Sequence, residues 1–276
     1  MPKAPDTFYS SSPEMPESPQ NRAFKYGDGV FETMCLRDGK IFSLEGHFER
    51  MQRGASILGM DWKADPAMES LETLIQTAGK PAFARIRMQL FRGGNGHYLP
   101  ENNQGEWVAE LHPEPNDPFI HGKEFSICLW ERMRLQFNAL SGIKHCNRLP
   151  WILAAKHAAT KGFDDALIPG AFGFAESSAS NLFIIKKNIL ETPGIETGCL
   201  PGIMRNRVMT LASRNGLKVN ETVVEKEDLM NADEIFLTNA FRGILPVKAF
   251  LENKFPGKAG TVTQKLQSDL ILSGSK

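Results

Sequence analysis

Four cysteines in 276 residues, at positions 35, 128, 146 and 199, form no CxxC pair, and no histidine stands at zinc-ligand spacing from them. The sequence therefore offers neither a disulfide framework nor a zinc site. An excess of charge of one sign is also missing, because 32 basic residues cancel 32 acidic ones. That removes the long-range field by which a dedicated nucleic-acid binder gathers phosphates, and the basic face of a membrane-surface protein. No uninterrupted apolar run approaches the length of a membrane span, and residues 1–20 hold five prolines but no apolar signal stretch. These absences predict a cytoplasmic protein with reduced thiols that acts on small molecules and uses neither nucleic acid nor membrane. No GxxxxGK[ST] run occurs, and the glycines at 93–96 lack dinucleotide-binding spacing and open no helix, so P-loop and Rossmann readings fail.

What is present is an ordinary globular composition, 41% hydrophobic with 24 Gly and 17 Pro, long enough to bury about 73% of its unfolded surface. Phe8-Tyr9 offers one short strand within a loose proline-rich start. Phe31 to Leu36 and Lys40 to Phe42 flank Asp38-Gly39, a hairpin signal. Leu44, Phe48, Met51, Ala55 and Leu58 share one helical face, with Ser43 as the expected cap and Gly59 as the stop; a second helix begins at Asp65-Pro66 and ends at Gly79. Ala84, Ile86, Met88 and Leu90 alternate with Arg85, Arg87 and Gln89, a half-buried strand with guanidinium groups on its other face. A further strand is expected at Glu106 to Leu111. His112 to Gly122 has linker composition, which places a domain boundary at 115/116 and predicts a small α+β domain over 1–115 and a larger one over 116–276. The second half predicts strands at Glu124 to Trp130, Ala166 to Ile168, Asn181 to Lys186 and Glu234 to Thr238. Helices are expected at Pro150 to Lys161, Ile203 to Arg214 and Thr261 to Leu270.

Taken singly, the chemistry-bearing residues have bland alternatives. Tyr26-Gly27-Asp28-Gly29 reads as a tight turn entering a strand. His47 and Arg50, three apart on a helix, read as a polar face, and Lys144, in a glycine-containing loop, as surface charge. Glu176 differs: wedged between an aromatic strand and a run of small residues, it reads as a partly buried acid in need of a cationic partner. Leu200-Pro201-Gly202-Ile203-Met204-Arg205 opens a helix whose free N–H groups suit a phosphate, or is a plain Pro-Gly turn.

In order along the chain, Tyr26-Gly-Asp-Gly-Val-Phe-Glu-Thr, His47-xx-Arg50, Ile143-Lys144, Glu176-xxxx-Asn181 and Gly202-Ile-Met-Arg205 resemble the class IV pyridoxal-phosphate enzymes. This is the fold-type IV group of branched-chain and D-amino-acid aminotransferases and 4-amino-4-deoxychorismate lyases. The match runs from about Asn21 to Val247. It implies an α+β, two-domain fold like that of D-amino-acid aminotransferase, with the cofactor pyridoxal 5'-phosphate between the domains, and a homodimer in which the partner subunit closes the pocket. Residue by residue, Lys144 is similar to the lysine that carries the cofactor covalently and then moves protons, which requires a nucleophilic amine. Glu176 is similar to the acid paired with the pyridine nitrogen, and Arg50 to the phosphate arginine. Ile203 and Met204 resemble the residues giving backbone N–H bonds to that phosphate, with Asn239 as a substitute polar group near it.

Within the group, Lys144-His-Cys-Asn-Arg-Leu, Gly202-Ile-Met-Arg and Thr238-Asn-Ala240 look more like the lyases. Aminotransferases of the group usually have Gly-Ile-Thr-Arg, and a hydroxyl residue where Ala240 stands. The resemblance thus implies release of 4-aminobenzoate and pyruvate from aminodeoxychorismate, in folate biosynthesis; the alternative is transamination of branched-chain or D-amino acids. Arg85, Arg87, Arg92, His97 and Arg148 are the candidates for the two substrate carboxylates.

Overall fold

The computed structural model describes residues 7–10, 21–120 and 122–273. The expected loose loop at residues 11–20 lies outside them. The elements in order are β1 (Thr7–Ser10), α1 (Arg22–Tyr26), β2 (Gly29–Arg37), β3 (Lys40–Ile41), α2 (Leu44–Leu58), α3 (Asp65–Thr77), β4 (Phe83–Arg92) and β5 (Gly105–Pro113). There follow β6 (Phe125–Leu129), α4 (Leu149–Thr160), β7 (Asp165–Pro169), β8 (Phe174–Ser177), β9 (Asn181–Lys186) and β10 (Ile189–Pro193). The chain continues with α5 (Ile203–Arg214), β11 (Lys218–Thr222), α6 (Lys226–Met230), β12 (Glu234–Asn239), β13 (Gly243–Phe250), β14 (Asn253–Lys254) and α7 (Thr261–Ser273). They fall into two compact units: the chain up to Pro118 together with Ile143–Asn147, and Phe119–Gly142 together with Arg148 onward. Segment 143–147 lies past the proline-rich linker in sequence yet belongs to the first unit, which no linear reading of linkers predicts.

The first unit is an antiparallel sheet in the order β1-β5-β4-β2-β3. Asp38 and Gly39 both take positive φ (49° and 77°) in the β2–β3 turn, the conformation an Asp-Gly hairpin requires. Alternation then sorts the strands. Val30, Met34 and Leu36 of β2 join Ala84, Ile86, Met88 and Leu90 of β4 and Ala109 and Leu111 of β5 in one core. Phe48, Met51 and Ala55 of α2, and Leu71 and Leu74 of α3, pack against them. The opposite face carries Phe31, Thr33, Arg85, Arg87 and Gln89. Two caps differ from expectation. Ser43 sits in the left-handed region (φ 52°) and makes no side-chain cap bond, and α3 is capped at Ala64, one residue before Asp65. Helix α1, which precedes the turn expected at Tyr26-Gly27-Asp28-Gly29, is held at one end by Asn21 Oδ1, which accepts from Ala23 and Phe24 N–H, and ends at Gly27 with φ 66°.

In the second unit the sheet runs β11-β10-β9-β12-β13-β6-β7-β8, and β8 returns to pair with β9, so six of its strands form a closed ring. The parallel pair β6–β7 is joined through α4. Leu182, Ile184, Ile235, Leu237, Leu245 and Val247 form one core, and Cys128, Ala154, Ala158, Ala166 and Ile168 a second beneath α4. No helix among the described residues is long and apolar enough to cross a membrane. Cys35, Cys128, Cys146 and Cys199 form no disulfide among the described residues.

Candidate active site

In the first unit the Tyr26-Gly-Asp-Gly-Val-Phe-Glu sequence does more than turn. Gly27 closes α1, and a Cβ there would collide with the Asn147 side chain; a Cβ on Gly29 would come within 2.5 Å of Leu90 O. That close approach lets β2 begin against both β4 and the 143–147 segment. Phe31 N–H donates to Lys144 O and Cys146 N–H to Gly29 O, each 2.9 Å, and Val30 bridges to His145. The segment thus continues the sheet by one short rung, which fixes the half-buried Lys144. Its Nζ lies 4.7 Å from the Phe31 ring centroid, and the Arg87 guanidinium lies 4.1 Å from the same ring. Burial lowers the pKa of Arg87, while the neighbouring Cys146 and Glu110 act in the opposite direction.

Glu32, next along β2, faces α2 and is 2% exposed. Arg50 donates to it twice (Nε to Oε1 and Nη2 to Oε2, both 2.7 Å), and His47 Nδ1 lies 2.7 Å from Oε2. Burial alone would raise the Glu32 pKa; the Arg50 charge and the hydrogen bonds from His47 and Arg50 outweigh it and hold the pKa at about 2. His47 and Arg50 are therefore buried and paired, where the helical spacing alone suggested a polar surface. Of the remaining candidates, Arg85 and His97 are exposed. Arg92 is buried and engaged: Nε donates to Asp28 (3.0 Å), Nη1 to Asn103 Oδ1 (2.6 Å) and Gly59 O (3.1 Å), and Nη2 to Leu58 O.

In the second unit the ladder sets Glu176 opposite Asn181, and Asn181 opposite Thr238, so β8, β9 and β12 carry these side chains in one row across the ring. Glu176 is buried, 5% exposed. Its Oε1 accepts from Trp151 Nε1 (2.7 Å), and its Oε2 from Leu200 N–H (2.9 Å) and, at longer range, Asn181 Nδ2 (3.5 Å). All three donors are neutral, and among the described residues no basic side chain pairs with Glu176. Asn181 Nδ2 also donates to Leu200 O (2.8 Å), and its Oδ1 fills the place where a Cβ on Gly202 would stand. Gly202 is the cap residue of α5 and offers no side-chain acceptor, so the N–H groups of Ile203 and Met204 open the helix uncapped. Thr238 Oγ1, buried in the same row, has no partner among the described residues.

Asn239 spends its groups locally: Oδ1 accepts from Phe241 and Arg242 N–H, and Nδ2 donates to Ser180 Oγ. Arg148, just before α4, stacks at 4.2 Å on the Trp151 ring, whose indole N–H holds Glu176. Trp151 carries no local signal of a role in sequence, where it looks like one more apolar residue of α4. Glu32 also went without a role, although a carboxylate in phase with Val30, Met34 and Leu36 was a visible signal of a buried charge.

These residues fit pyridoxal phosphate. A buried carboxylate ringed by neutral donors suits a protonated ring nitrogen, and an uncapped helix start beside a glycine with no room for a side chain suits a phosphate. The comparisons agree. Residues 29–250 match the model of the family described as amino-transferase class IV, and the chain belongs to that family of pyridoxal-phosphate-dependent enzymes. An aminodeoxychorismate lyase of Vibrio harveyi is 28% identical over 91% of this chain and 94% of its own length. A branched-chain-amino-acid aminotransferase of Pseudomonas aeruginosa is 30% identical over 88% and 82%. Among solved structures, a Legionella pneumophila protein provisionally named a 4-amino-4-deoxychorismate lyase superposes with a TM-score of 0.85 at 27% identity, covering 96% of this chain and 97% of that one.

Proposed function

We propose that this enzyme is a 4-amino-4-deoxychorismate lyase, cleaving its substrate to 4-aminobenzoate and pyruvate. The observation that carries this reading is the anion cradle at the start of α5. Met204, 1% exposed, and Ala240 supply no hydroxyl at the two positions where aminotransferases of the group usually carry one. The near full-length match to the Vibrio harveyi lyase supports it, and the similar identity to an aminotransferase keeps transamination of branched-chain or D-amino acids as the alternative.

The family resemblance, together with the contacts above, supports the following residue roles. Lys144 holds the cofactor, and its amine takes the proton from C4 of the substrate. The ether bond to the enolpyruvyl group then breaks as the ring becomes aromatic, and Lys144 returns a proton to the departing three-carbon unit, which leaves as pyruvate. Bound pyridoxal phosphate supplies the electron sink that makes the C4 proton acidic. Glu176, oriented by Trp151 and Leu200 N–H, keeps the ring nitrogen protonated. Ile203 and Met204 N–H, with Arg50 oriented by Glu32, take the phosphate, and Asn239 shapes the turn beside β12. For the substrate carboxylates, the candidates are Arg87, which shares the Phe31 ring with Lys144, Arg148, which stacks on Trp151, and the exposed Arg85 and His97. Arg92 is assigned to anchoring instead, because its donors are engaged within the unit.

We also propose a homodimer. Leu149, Ile152 and Leu153 of α4 are 71%, 57% and 52% exposed at helical spacing, an apolar face that a second copy would cover; sedimentation equilibrium checks it. The functional test is incubation of the holoenzyme with aminodeoxychorismate. Equal release of 4-aminobenzoate and pyruvate, lost in Lys144→Ala, is expected. No release of either, with an amino acid converting the cofactor to its amine form, would establish the aminotransferase instead.

A further inference from the structure

Arg22 is 2% exposed and makes an unusual set of bonds. Its Nε donates to Asp28 Oδ2 (2.9 Å). Its Nη1 reaches three consecutive backbone carbonyls, of Asn95 (3.3 Å), Gly96 (3.1 Å) and His97 (2.7 Å), and its Nη2 reaches that of Tyr98 (3.5 Å). The same Asp28 oxygen accepts from Arg92, which ends β4 and starts this loop. One carboxylate therefore faces two buried guanidinium groups, and the loop's converging carbonyls compensate the second positive charge. With its carbonyls turned inward, the loop turns its side chains outward: His97 is exposed, Tyr98 is 91% exposed and Leu99 85%. Gly94 and Gly96 take positive φ (75° and 97°), which lets four successive carbonyls approach one centre. The Arg22 guanidinium also lies 5.0 Å from the Tyr26 ring, and Tyr26 contacts Tyr98.

We infer that Arg22 is a positioning residue for substrate recognition: it holds the 95–98 loop in the one conformation that presents His97 to a carboxylate of the substrate. This rests on the proposed reading in which His97 meets such a carboxylate. Lysine replaces it only in part, because a compact ammonium lacks the planar fork that spans Asp28 and the carbonyls together.

The test is a double-mutant cycle on the holoenzyme, with wild type, Arg22→Lys, Arg22→Ala, His97→Ala and Arg22→Ala/His97→Ala. Thermal unfolding is used to confirm that each folds, and Arg22→Lys serves should Arg22→Ala fail. Kinetics are measured on aminodeoxychorismate and, in parallel, on the half-reactions of D-alanine and L-leucine. Arg22→Ala and His97→Ala are each expected to raise KM about ten-fold with kcat within about two-fold, Arg22→Lys to fall between, and the double variant to be no worse than either single one. Effects that multiply in the double variant, or a fall in kcat with KM unchanged, would overturn the inference. An unchanged KM in His97→Ala would remove both His97 and the inference. A wild type that releases no pyruvate but converts an amino acid would overturn only the lyase reading, and the cycle is then read on that amino acid.

Discussion

Two buried glutamates sit at comparable depth and are treated in opposite ways. Glu32 is surrounded by charge, with a bidentate Arg50 and a histidine at 2.7 Å, and its pKa is held at about 2. Among the described residues, the donors around Glu176 are neutral: the Trp151 indole, the Leu200 N–H and the Asn181 amide. The chain neutralises the first with its own side chains. The second is desolvated and oriented but not neutralised, an arrangement that makes sense when the missing cation arrives with a ligand. On the proposed reading, Glu32 belongs to the framework that aims Arg50, and Glu176 to the chemistry.

That contrast can be broken by substitution. The largest effect is expected from Glu176→Gln, which keeps the shape but cannot hold a proton on the ring nitrogen. Turnover should fall by about 100-fold or more while thermal stability changes little, as steady-state kinetics and calorimetry would show. Glu32→Gln should do the reverse at first order. Leaving Arg50 buried without its carboxylate costs about 3 kcal/mol of stability, measured by denaturant unfolding. The same pair predicts a pH signature. The folded pKa of Glu32 lies below its ordinary 4.5, so its contribution is complete above that value and is lost as pH falls through about 2, a slope in stability that Glu32→Gln should abolish.

Gly202→Ala forces a Cβ onto Asn181 Oδ1 and should weaken binding of pyridoxal phosphate about ten-fold by titration of the apoenzyme, while binding of unphosphorylated pyridoxal changes less. The smallest effect is expected from Trp151→Phe, which removes one donor from Glu176 and leaves a smaller ring under Arg148. A loss of a few-fold in kcat is predicted, in keeping with one hydrogen bond to a charged group in a site that retains two others.

Much of this was legible from sequence because it is local. The start of α5 at Ile203, the limits of β9 and the Asp-Gly hairpin follow from glycine, proline and periodicity acting over a few residues. Helix α1 escaped, although Asn21 and Gly27 mark its two ends, because five residues carry too little periodicity to register. Strands β10, β11 and β13 were also not anticipated. Pro246 lies inside β13 and Pro193 ends β10, and proline argues against a strand unless its neighbours are known. In the site, the motifs marked Lys144, Glu176 and Arg50, but which charges are mutually satisfied is a tertiary fact. Arg92 and Asn239 read like ligand contacts and are engaged within the fold by Asp28, Asn103 and Ser180. Nothing local to Arg22 announces that it gathers carbonyls seventy-odd residues away.

The central claim is that Glu176 is left without a cation because it receives the protonated nitrogen of pyridoxal phosphate. The most direct measurement is the nitrogen-15 chemical shift of ring-labelled cofactor bound to wild type and to Glu176→Gln. The account predicts a protonated ring nitrogen in the wild type and an unprotonated one in the variant. The same shift in both proteins would contradict it.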